Sequence, residues 1–276
     1  MNNNIIYNIY FPKLFLYFRI NPVAFSMGSI NIYWYGIIIA IGFLLAYIYI
    51  SKKSRDFDIT NQELDKFVII SSVISILCAR LYYVIFYPGD YYIKNINKIF
   101  CISEGGLAIY GAIIGGILSI YILSRIYQKN VLNILDLMSF GVIIGQAIGR
   151  WGNFVNQEAF GSNTDLLFGM SSENTNFQTV HPCFLYESLS CFIIFIILNI
   201  YHKINKNKKP GDLFYLYIFL YSLTRIFIET LRTDSLIIPY TNIKISQILG
   251  VILVLVSGCK LKYFIKRSIK TQKWTR

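Results

Sequence analysis

Seven apolar stretches of about 20 residues each recur along the chain, and they constrain its fold more than any other feature. At a rise of about 1.5 Å per residue, a helix of this length crosses the roughly 30 Å hydrocarbon core of a bilayer. The sequence therefore predicts an all-α, polytopic integral membrane protein with about seven transmembrane helices. The predicted spans are residues 33–50, 67–87, 106–124, 131–149, 183–201, 213–232 and 245–259.

The charge content agrees with a membrane protein rather than with a soluble one. Charged residues make up 14% of the chain, whereas soluble domains average about 25%. The formal net charge is nevertheless +12. Such a basic excess indicates nucleic-acid binding in a soluble protein, but in a membrane protein it orients the spans. We therefore expect no nucleic-acid partner.

The number of cations alternates from one predicted connection to the next. Seventeen of the 26 lysines and arginines lie in the connections after spans one, three and five and in the carboxyl-terminal tail. The segments on the opposite side carry only five, which are Lys13, Arg19, Lys94, Lys98 and Lys244. Because cytoplasmic loops carry the excess of Lys and Arg, the pattern predicts an outer amino terminus and a cytoplasmic carboxyl terminus.

The segments at the two ends of the chain predict two further regions. Residues 1–32 contain a broken apolar run with Lys13 and Arg19, without the apolar core and small-residue cleavage site of a signal peptide. We expect an interfacial amphipathic segment there. A membrane catalytic domain at residues 33–260 and a basic cytoplasmic tail at residues 261–276 would follow.

The cysteines and histidines do not indicate a metal centre or another cofactor. The five cysteines are scattered and form no CxxC pair, which favours a role as small apolar packing residues. The two histidines, His181 and His202, fall on opposite sides of the predicted membrane. A histidine-based metal site is therefore not expected.

Polar residues from five predicted spans lie at a common depth, toward the outer leaflet. Ionisable groups inside spans are costly and are therefore candidates for function. The set consists of Tyr35, Glu104, Tyr110, Arg150, Asn153, Asn156, Glu158, His181, Tyr186, Glu187, Arg225, Glu229 and Arg232. This convergence predicts a polar site near one membrane surface.

The spacing of Arg225, Glu229 and Arg232 places the three side chains within roughly 60° of one another on a helix. One carboxylate could then bridge two guanidinium groups and reduce the cost of burying them. Two guanidinium groups on one face also suit a phosphate ligand. The alternative is an ion network that only ties helices together.

Residues 149–161 form the segment richest in small and polar residues, GRWGNFVNQEAFG. A helix end that runs into such residues is a poor membrane anchor, and irregular backbone at membrane depth needs cover by protein or water. Arg150 could alternatively extend to the interface without a function. For Gly111, Gly115 and Gly116 we favour close helix packing.

The segment 149–161 resembles a known family at every specified position of its signature, G-R-x-G-N-F-x-N-x-E-x-x-G. This family is the prolipoprotein diacylglyceryl transferases. Shorter matches occur in order along residues 20–260, nearly the whole chain. They are Asn21–Phe25, Trp34–Gly36, Ala79–Leu81, Glu104–Gly106, His181–Pro182, Leu185–Glu187 and the R-x-x-x-E-x-x-R pattern of Arg225, Glu229 and Arg232.

The resemblance implies a seven-span enzyme of the bacterial cytoplasmic (inner) membrane that needs no cofactor. Such an enzyme moves the diacylglyceryl group of phosphatidylglycerol, a membrane lipid, to the lipobox cysteine thiol in the signal peptide of a prolipoprotein. Glycerol phosphate is the other product, and the transfer is the first step of bacterial lipoprotein maturation.

The resemblance also implies roles for individual residues. Arg150 and Arg225 would handle the phosphate, and Tyr35 would belong to the catalytic site. The wider lipid-binding and supporting set would comprise Asn153, Asn156, Glu158, Gly161, Glu229, Arg232, Glu104, Gly105, His181 and Glu187.

One position departs from the family pattern. Many members have a histidine in an H-G-G sequence that is a candidate base, whereas this chain has Tyr110-Gly111-Ala112. The base could therefore be Tyr110, His181 or a water molecule. A tyrosine, with a reference pKa near 10, is a poor base at neutral pH unless nearby cations lower that value.

Other functions remain open on the residues alone. A transporter or anion channel could use outer arginines for selectivity, although the predicted polar groups do not continue across the membrane. An intramembrane protease would need a serine and histidine pair or paired aspartates, and Asp136 and His181 lack such partners in the sequence pattern.

Overall fold

The computed structural model describes residues 6–28, 30–101, 105–205, 208–235, 241 and 244–273, with side chains described up to residue 262. Within these ranges, seven helices are long and apolar enough to cross a membrane. This confirms the predicted fold class. The first five residues, Glu104 and the last three residues, all included in predictions above, lie outside the described ranges.

The helices follow the predicted spans closely, with one additional short helix, α3. They are α1 (Trp34–Lys53), α2 (Asn61–Ile85), α3 (Tyr91–Lys94), α4 (Ile109–Ile126), α5 (Val131–Asn156), α6 (Cys183–Ile204), α7 (Asp212–Leu231) and α8 (Ile245–Lys273).

Several helices extend beyond their predicted bounds, most of all α8, which continues from the predicted end at residue 259 to Lys273. The extensions of α2 and α5 bear on the local structure. α2 begins at Asn61 because Thr60 and Glu63 form a capping box, in which each side chain accepts a hydrogen bond from the other residue's backbone N–H. α5 continues seven residues past the predicted end at residue 149, to Asn156. The first half of the signature segment is therefore helical rather than irregular.

The segment before α1 forms two antiparallel hairpins, which the sequence analysis did not predict as strands. The strands are β1 (Tyr7–Phe11), β2 (Leu16–Ile20), β3 (Val23–Met27) and β4 (Ile30–Tyr33). β1 shows the alternation of a half-buried strand, with Ile9 and Phe11 buried and Tyr10 exposed between them. β4 is followed directly by α1.

Contacts divide the chain into two compact units. The first consists of Met1–Tyr49 and Ser139–Arg276, and the second of Ile50–Met138. In the second unit, α2 packs along α4. A Cβ atom on Gly115 would lie only 2.7 Å from Cβ of Cys78, so this glycine serves the predicted close helix packing.

A buried arginine organises the second unit at the end of α2. Arg80 is 4% exposed, and its guanidinium donates to the carbonyl oxygens of Lys98, Ile99, Gly105 and Gly106 at 2.6 to 3.1 Å. These bonds hold the segment before α4 against α2. A Cβ atom on Gly106 would lie 2.5 Å from Nη1 of Arg80, so a larger residue does not fit.

In the first unit, a cluster of apolar side chains holds the ends of α5 and α6 against the first hairpin. Its buried members are Ile9, Phe11, Phe154, Val155, Met170, Val180 and Phe184. The loop between the two helices adds backbone hydrogen bonds of 2.8 Å in both directions between Tyr10 and Ser171. The ends of the two helices that carry the candidate site are therefore fixed by packing from β1 and from this loop.

Candidate active site

A buried carboxylate, Glu187 in the second turn of α6, lies at the centre of the polar cluster. It is 3% exposed. Arg225 Nη1 donates to its Oε1 at 2.7 Å, and Arg150 Nη2 lies 2.5 Å from its Oε2. Arg232 Nη1 lies 3.6 Å from Oε1. One carboxylate thus gathers guanidinium groups from α5, from α7 and from the residue after α7.

A second carboxylate, Glu229, holds Arg225 from its own helix. Its Oε2 lies 2.7 Å from Arg225 Nη2, and its Oε1 accepts a hydrogen bond of 2.5 Å from Ser246 in α8. Arg225 is therefore placed between Glu187 and Glu229, with carboxylates on both terminal nitrogens. This geometry fixes the orientation of its planar guanidinium.

The expectation that Glu229 bridges both Arg225 and Arg232 is confirmed for Arg225 and wrong for Arg232. Arg232 pairs instead with Asp234, through Nε to Oδ1 at 2.9 Å and Nη2 to Oδ2 at 2.6 Å. The helical spacing argument fails because α7 ends at Leu231 and Arg232 has extended backbone angles. The hydrogen bonds from Arg232 hold the pKa of Asp234 below its ordinary value.

Arg150 begins a chain of polar contacts along the end of α5. Its Nη1 donates to Asn153 Oδ1 at 3.4 Å, and Asn153 Nδ2 donates to Glu158 Oε1 at 2.9 Å. Glu158 is exposed. Arg150 and Asn153 lie three residues apart on one helix and therefore share a face. The predicted span ended at residue 149, so this shared face did not follow from the prediction.

Tyr35 and Gly152 pack directly against each other, which brings α1 to the same end of α5. A Cβ atom on Gly152 would lie 2.7 Å from Cδ2 of the Tyr35 ring. Any larger residue at this position would displace the tyrosine. Tyr35 also lies within the electrostatic range of Arg150 and Glu158.

Gly161 joins the two chain segments that flank the cluster. Its N–H donates to the His181 carbonyl at 2.9 Å, and its backbone pairs with that of Arg232. A Cβ atom there would lie 2.8 Å from both His181 Cβ and the Leu231 carbonyl oxygen. The glycine of the signature is thus required by close backbone approach.

His181 lies just before α6, with its Nδ1 3.3 Å from the hydroxyl of Tyr186. Burial lowers the pKa of His181 below its ordinary value. A lowered pKa favours the neutral form of the imidazole, which can accept a proton.

A small cavity of about 10 Å³, room for about one water molecule, lies between α6 and α7, beside the Arg225–Glu187 pair. Besides this pair, it is lined by Ser190, Cys191, Tyr221, Thr224 and Ile228. The ion pair thus borders a small gap in the packing between the two helices.

The first unit brings together most of the predicted site residues. They are Tyr35, Arg150, Asn153, Glu158, Gly161, His181, Glu187, Arg225, Glu229 and Arg232. Asn156 is half-buried at the last residue of α5. Tyr110 and Gly105 belong to the second unit, where the Tyr110 ring is 6.3 Å from that of Tyr82. Glu104 lies outside the described residues.

Among the described residues, contributors to the cluster that the sequence analysis missed include Asp234, Ser246 and Lys244, whose ammonium donates to the carbonyl oxygens of Glu229 and Arg232. Asp234 could have been found from its spacing of two residues from Arg232. Ser246 is one of many serines in the chain, and no local pattern distinguishes it.

The fold and the cluster together define a class of protein: a multi-pass membrane protein with a partly accessible arginine cluster held by buried carboxylates. The comparisons with known proteins agree with this class. Residues 22–263 match the family model described as prolipoprotein diacylglyceryl transferase. The chain belongs to the prolipoprotein diacylglyceryl transferase family.

Curated relatives cover almost the whole chain. A phosphatidylglycerol–prolipoprotein diacylglyceryl transferase of Clostridium novyi is 41% identical over 90% of this chain and 100% of its own length. The protein of the same name from Clostridioides difficile is 43% identical over 83% of this chain and 91% of its own length. One from Staphylococcus aureus is 38% identical over 88% and 89%.

Proposed function

We propose that this chain transfers the diacylglyceryl group of phosphatidylglycerol to prolipoproteins, as a multi-pass enzyme of a bacterial membrane. Its family and the names of its relatives support this activity. The convergence of three arginines on Glu187 is the observation that supports placing this activity at the polar cluster. The alternative of a transporter or anion channel has no support from the relatives.

The reaction forms a carbon–sulfur bond and breaks a carbon–oxygen bond. The lipobox cysteine loses its thiol proton and attacks the sp³ carbon of the diacylglyceryl group, and glycerol phosphate leaves with the bonding electrons and takes up the charge. Two steps limit the rate: a thiol with a reference pKa near 8.5 must ionise, and the charge growing on the leaving phosphate must be stabilised.

In this proposal Arg150 and Arg225 bind the phosphate. Their side chains keep 22% and 20% of their surface exposed, whereas that of Glu187 keeps 4%. The Glu187 carboxylate contacts one terminal nitrogen of each guanidinium group and so orients both groups. The exposed part of each guanidinium group can bind a ligand. Fixed positive charge in a site of low dielectric stabilises a departing phosphate far better than it would in water.

The other residues of the cluster have supporting roles in the proposal. Arg232 is held by Asp234 and lies near Glu187, so it positions the central carboxylate. Asn153 and Glu158 extend the contacts of Arg150 along the end of α5, where Asn156, Gly161 and Tyr35 would line the lipid headgroup. Glu229 fixes Arg225.

Three groups can take the thiol proton: His181, Tyr110 and a water molecule. The place of His181 in the first unit, where its carbonyl accepts a hydrogen bond from Gly161, supports the first of these. Substitution separates them. If His181→Gln reduces transfer and Tyr110→Phe does not, the imidazole takes the proton, whereas the opposite result assigns the step to the tyrosine hydroxyl.

The proposal further places the enzyme in the cytoplasmic membrane, with its amino terminus and site toward the outer leaflet. The uneven distribution of cations supports this orientation. The cluster lies at the ends of α5, α6 and α7 that are remote from the cation-rich connections. A site at the outer surface is accessible to the signal peptide of a translocated prolipoprotein. The reaction needs no nucleic-acid partner.

Mass spectrometry of a lipobox peptide tests the function. Purified protein is incubated with phosphatidylglycerol vesicles and the peptide, with a peptide that has serine in place of the cysteine as the control. We expect a diacylglyceryl adduct on the cysteine peptide alone. No adduct, under conditions in which a known transferase forms one, would contradict the proposed function.

A further inference from the structure

Both amino-terminal hairpins end in exposed apolar side chains. At the first turn, Phe15 is 94% exposed and Leu16 is 48% exposed. At the second, Met27 and Ile30 are each 67% exposed. Apolar side chains grouped at loop tips are unfavourable in water, and such groups mark contacts with a partner or a membrane.

The first tip is held in place rather than loosely attached. Ile9 and Phe11 anchor β1 in the apolar cluster at the ends of α5 and α6, and the backbone of Tyr10 pairs with Ser171. Phe15 has a φ of +54°, in the left-handed region that bulky residues rarely adopt. The aromatic ring of Phe15 thus lies away from the protein, although β1 of the same hairpin is anchored in the apolar cluster.

The second tip belongs to a hairpin that is continuous with a membrane-spanning helix. β4 ends at Tyr33, and Trp34 begins α1. Both aromatic residues are exposed, as are Ile39 and Phe43 farther along α1. Tyrosine and tryptophan concentrate where membrane helices meet the headgroup region, so the base of this hairpin, where β4 joins α1, fits the level of the membrane surface.

Cations lie close to the first apolar tip. Lys13 precedes Phe15 in the turn, where its ammonium donates to the carbonyl oxygen of Asp165, and Arg19 is exposed in β2. Basic residues beside apolar side chains are typical of segments that lie on anionic lipid. A lipid surface therefore fits both the apolar and the charged part of this hairpin.

We propose that the two hairpins form a membrane-interface anchor, in which Phe15, Leu16, Met27 and Ile30 insert into the upper part of an anionic leaflet. The anchor is independent of the catalytic assignment. It gives the predicted interfacial segment at residues 1–32 a specific structure. The competing occupant of the same tips is the apolar signal peptide of a substrate.

Tryptophan fluorescence in proteoliposomes distinguishes these occupants. Phe15→Trp and Met27→Trp are reconstituted into vesicles that contain phosphatidylglycerol with bromine atoms on the upper acyl chain. The fluorescence of the parent protein, which has its own three tryptophans, is subtracted. Gln178→Trp, at an exposed polar position of the loop between α5 and α6, is the matched control.

We expect blue-shifted emission from both tip variants and loss of their added fluorescence in brominated vesicles, because interfacial side chains lie about 5–10 Å below the headgroups. The control should be quenched by acrylamide in the water instead. Quenching of both tips by acrylamide, with none by bromine, would overturn the proposal. A second result would also overturn the proposal: no quenching by bromine, and a blue shift that occurs only after lipobox peptide is added. That result would indicate that the tips bind the peptide. The two sites, in different hairpins, guard against misfolding of one variant.

Discussion

Arg80 and Arg225 are both arginines inside apolar helices, but their guanidinium groups contact different acceptors. Arg80 is 4% exposed and makes four hydrogen bonds to backbone carbonyls, which uses most of its five N–H donors. Arg225 contacts two carboxylates, and its side chain remains 20% exposed. The hydrogen bonds of Arg80 stabilise the fold and leave its guanidinium buried. The guanidinium of Arg225 is oriented by carboxylates and is still accessible.

Burial of a charge does not by itself identify a site. A carbonyl-bound arginine stabilises a loop, and its charge faces backbone dipoles. Arg225 is held by carboxylates on both terminal nitrogens, yet its partly exposed guanidinium can still contact a ligand, and the carboxylates also lower the cost of its desolvation. The expected effects of substitution therefore differ in kind between the two units.

The largest effect is expected at the two phosphate-binding arginines. Arg150→Ala or Arg225→Ala should lower kcat/KM of transfer by about 100- to 1,000-fold, since each removes a fixed charge from the developing phosphate. The rate is measured on protein with unchanged thermal unfolding. Arg125→Ala, at an exposed position in α4, is the control and should retain the parental rate. Near-normal transfer by either cluster variant would contradict the phosphate assignment.

A smaller loss of activity is expected at the central carboxylate. Glu187→Gln leaves three guanidinium groups near one another without their common partner, and a displacement of about 1 Å can cost roughly 100-fold in rate. Breaking a buried ion pair from one side also destabilises by about 3 kcal/mol. Rate and thermal stability should therefore fall together.

Asp165→Asn, at an exposed loop carboxylate, is the matched control for Glu187→Gln and should change neither quantity. If Glu187→Gln left both the rate and the unfolding temperature at parental values, the central role of this carboxylate in the cluster would be wrong.

Substitution of Arg80 should affect stability more than chemistry. Arg80→Lys keeps the charge but cannot reach all four carbonyls, so we expect a loss of about 2–3 kcal/mol in the free energy of unfolding. Thermal unfolding and kcat are measured on the same sample. A stable Arg80→Lys protein that has lost transfer activity would contradict the structural role of Arg80, because it would show that Arg80 takes part in the reaction.

The smallest effect is expected at Asp234, whose side chain is 48% exposed. Its pKa in the folded protein lies below the unfolded value of about 3.9. The pair with Arg232 therefore adds stability above about pH 4 and loses it as the pH falls further. For so exposed a pair the contribution is at most about 1 kcal/mol.

The measurement for Asp234 is the difference in unfolding temperature between the parent and Asp234→Asn over a range of pH. The difference should be constant near neutral pH, vanish in acid and shrink at high salt. A difference that grew as the pH fell would have the wrong sign for a lowered pKa.

The seven spans could be predicted because their apolar runs match the thickness of a bilayer, and the convergence of polar residues from α5, α6 and α7 could be predicted with them. The role of Glu187 could not, since the side chains that meet it depend on how α5, α6 and α7 are rotated about their axes. The bond between Arg232 and Asp234 depends on the exact end of α7, which hydropathy does not define. The two hairpins were not predicted because strands of four or five residues contain too few alternations of apolar and polar residues to be recognised in the sequence.

The central claim is that the arginines around Glu187, and not Arg80, contact the lipid phosphate. Solid-state NMR can test it through the dipolar coupling between the phosphorus of bound phosphatidylglycerol and labelled guanidinium nitrogens in proteoliposomes. We predict a coupling that persists in Arg80→Lys and disappears when Arg150 and Arg225 are both replaced by lysine without label. A coupling that survives this double replacement, or that is lost in Arg80→Lys, would contradict the account.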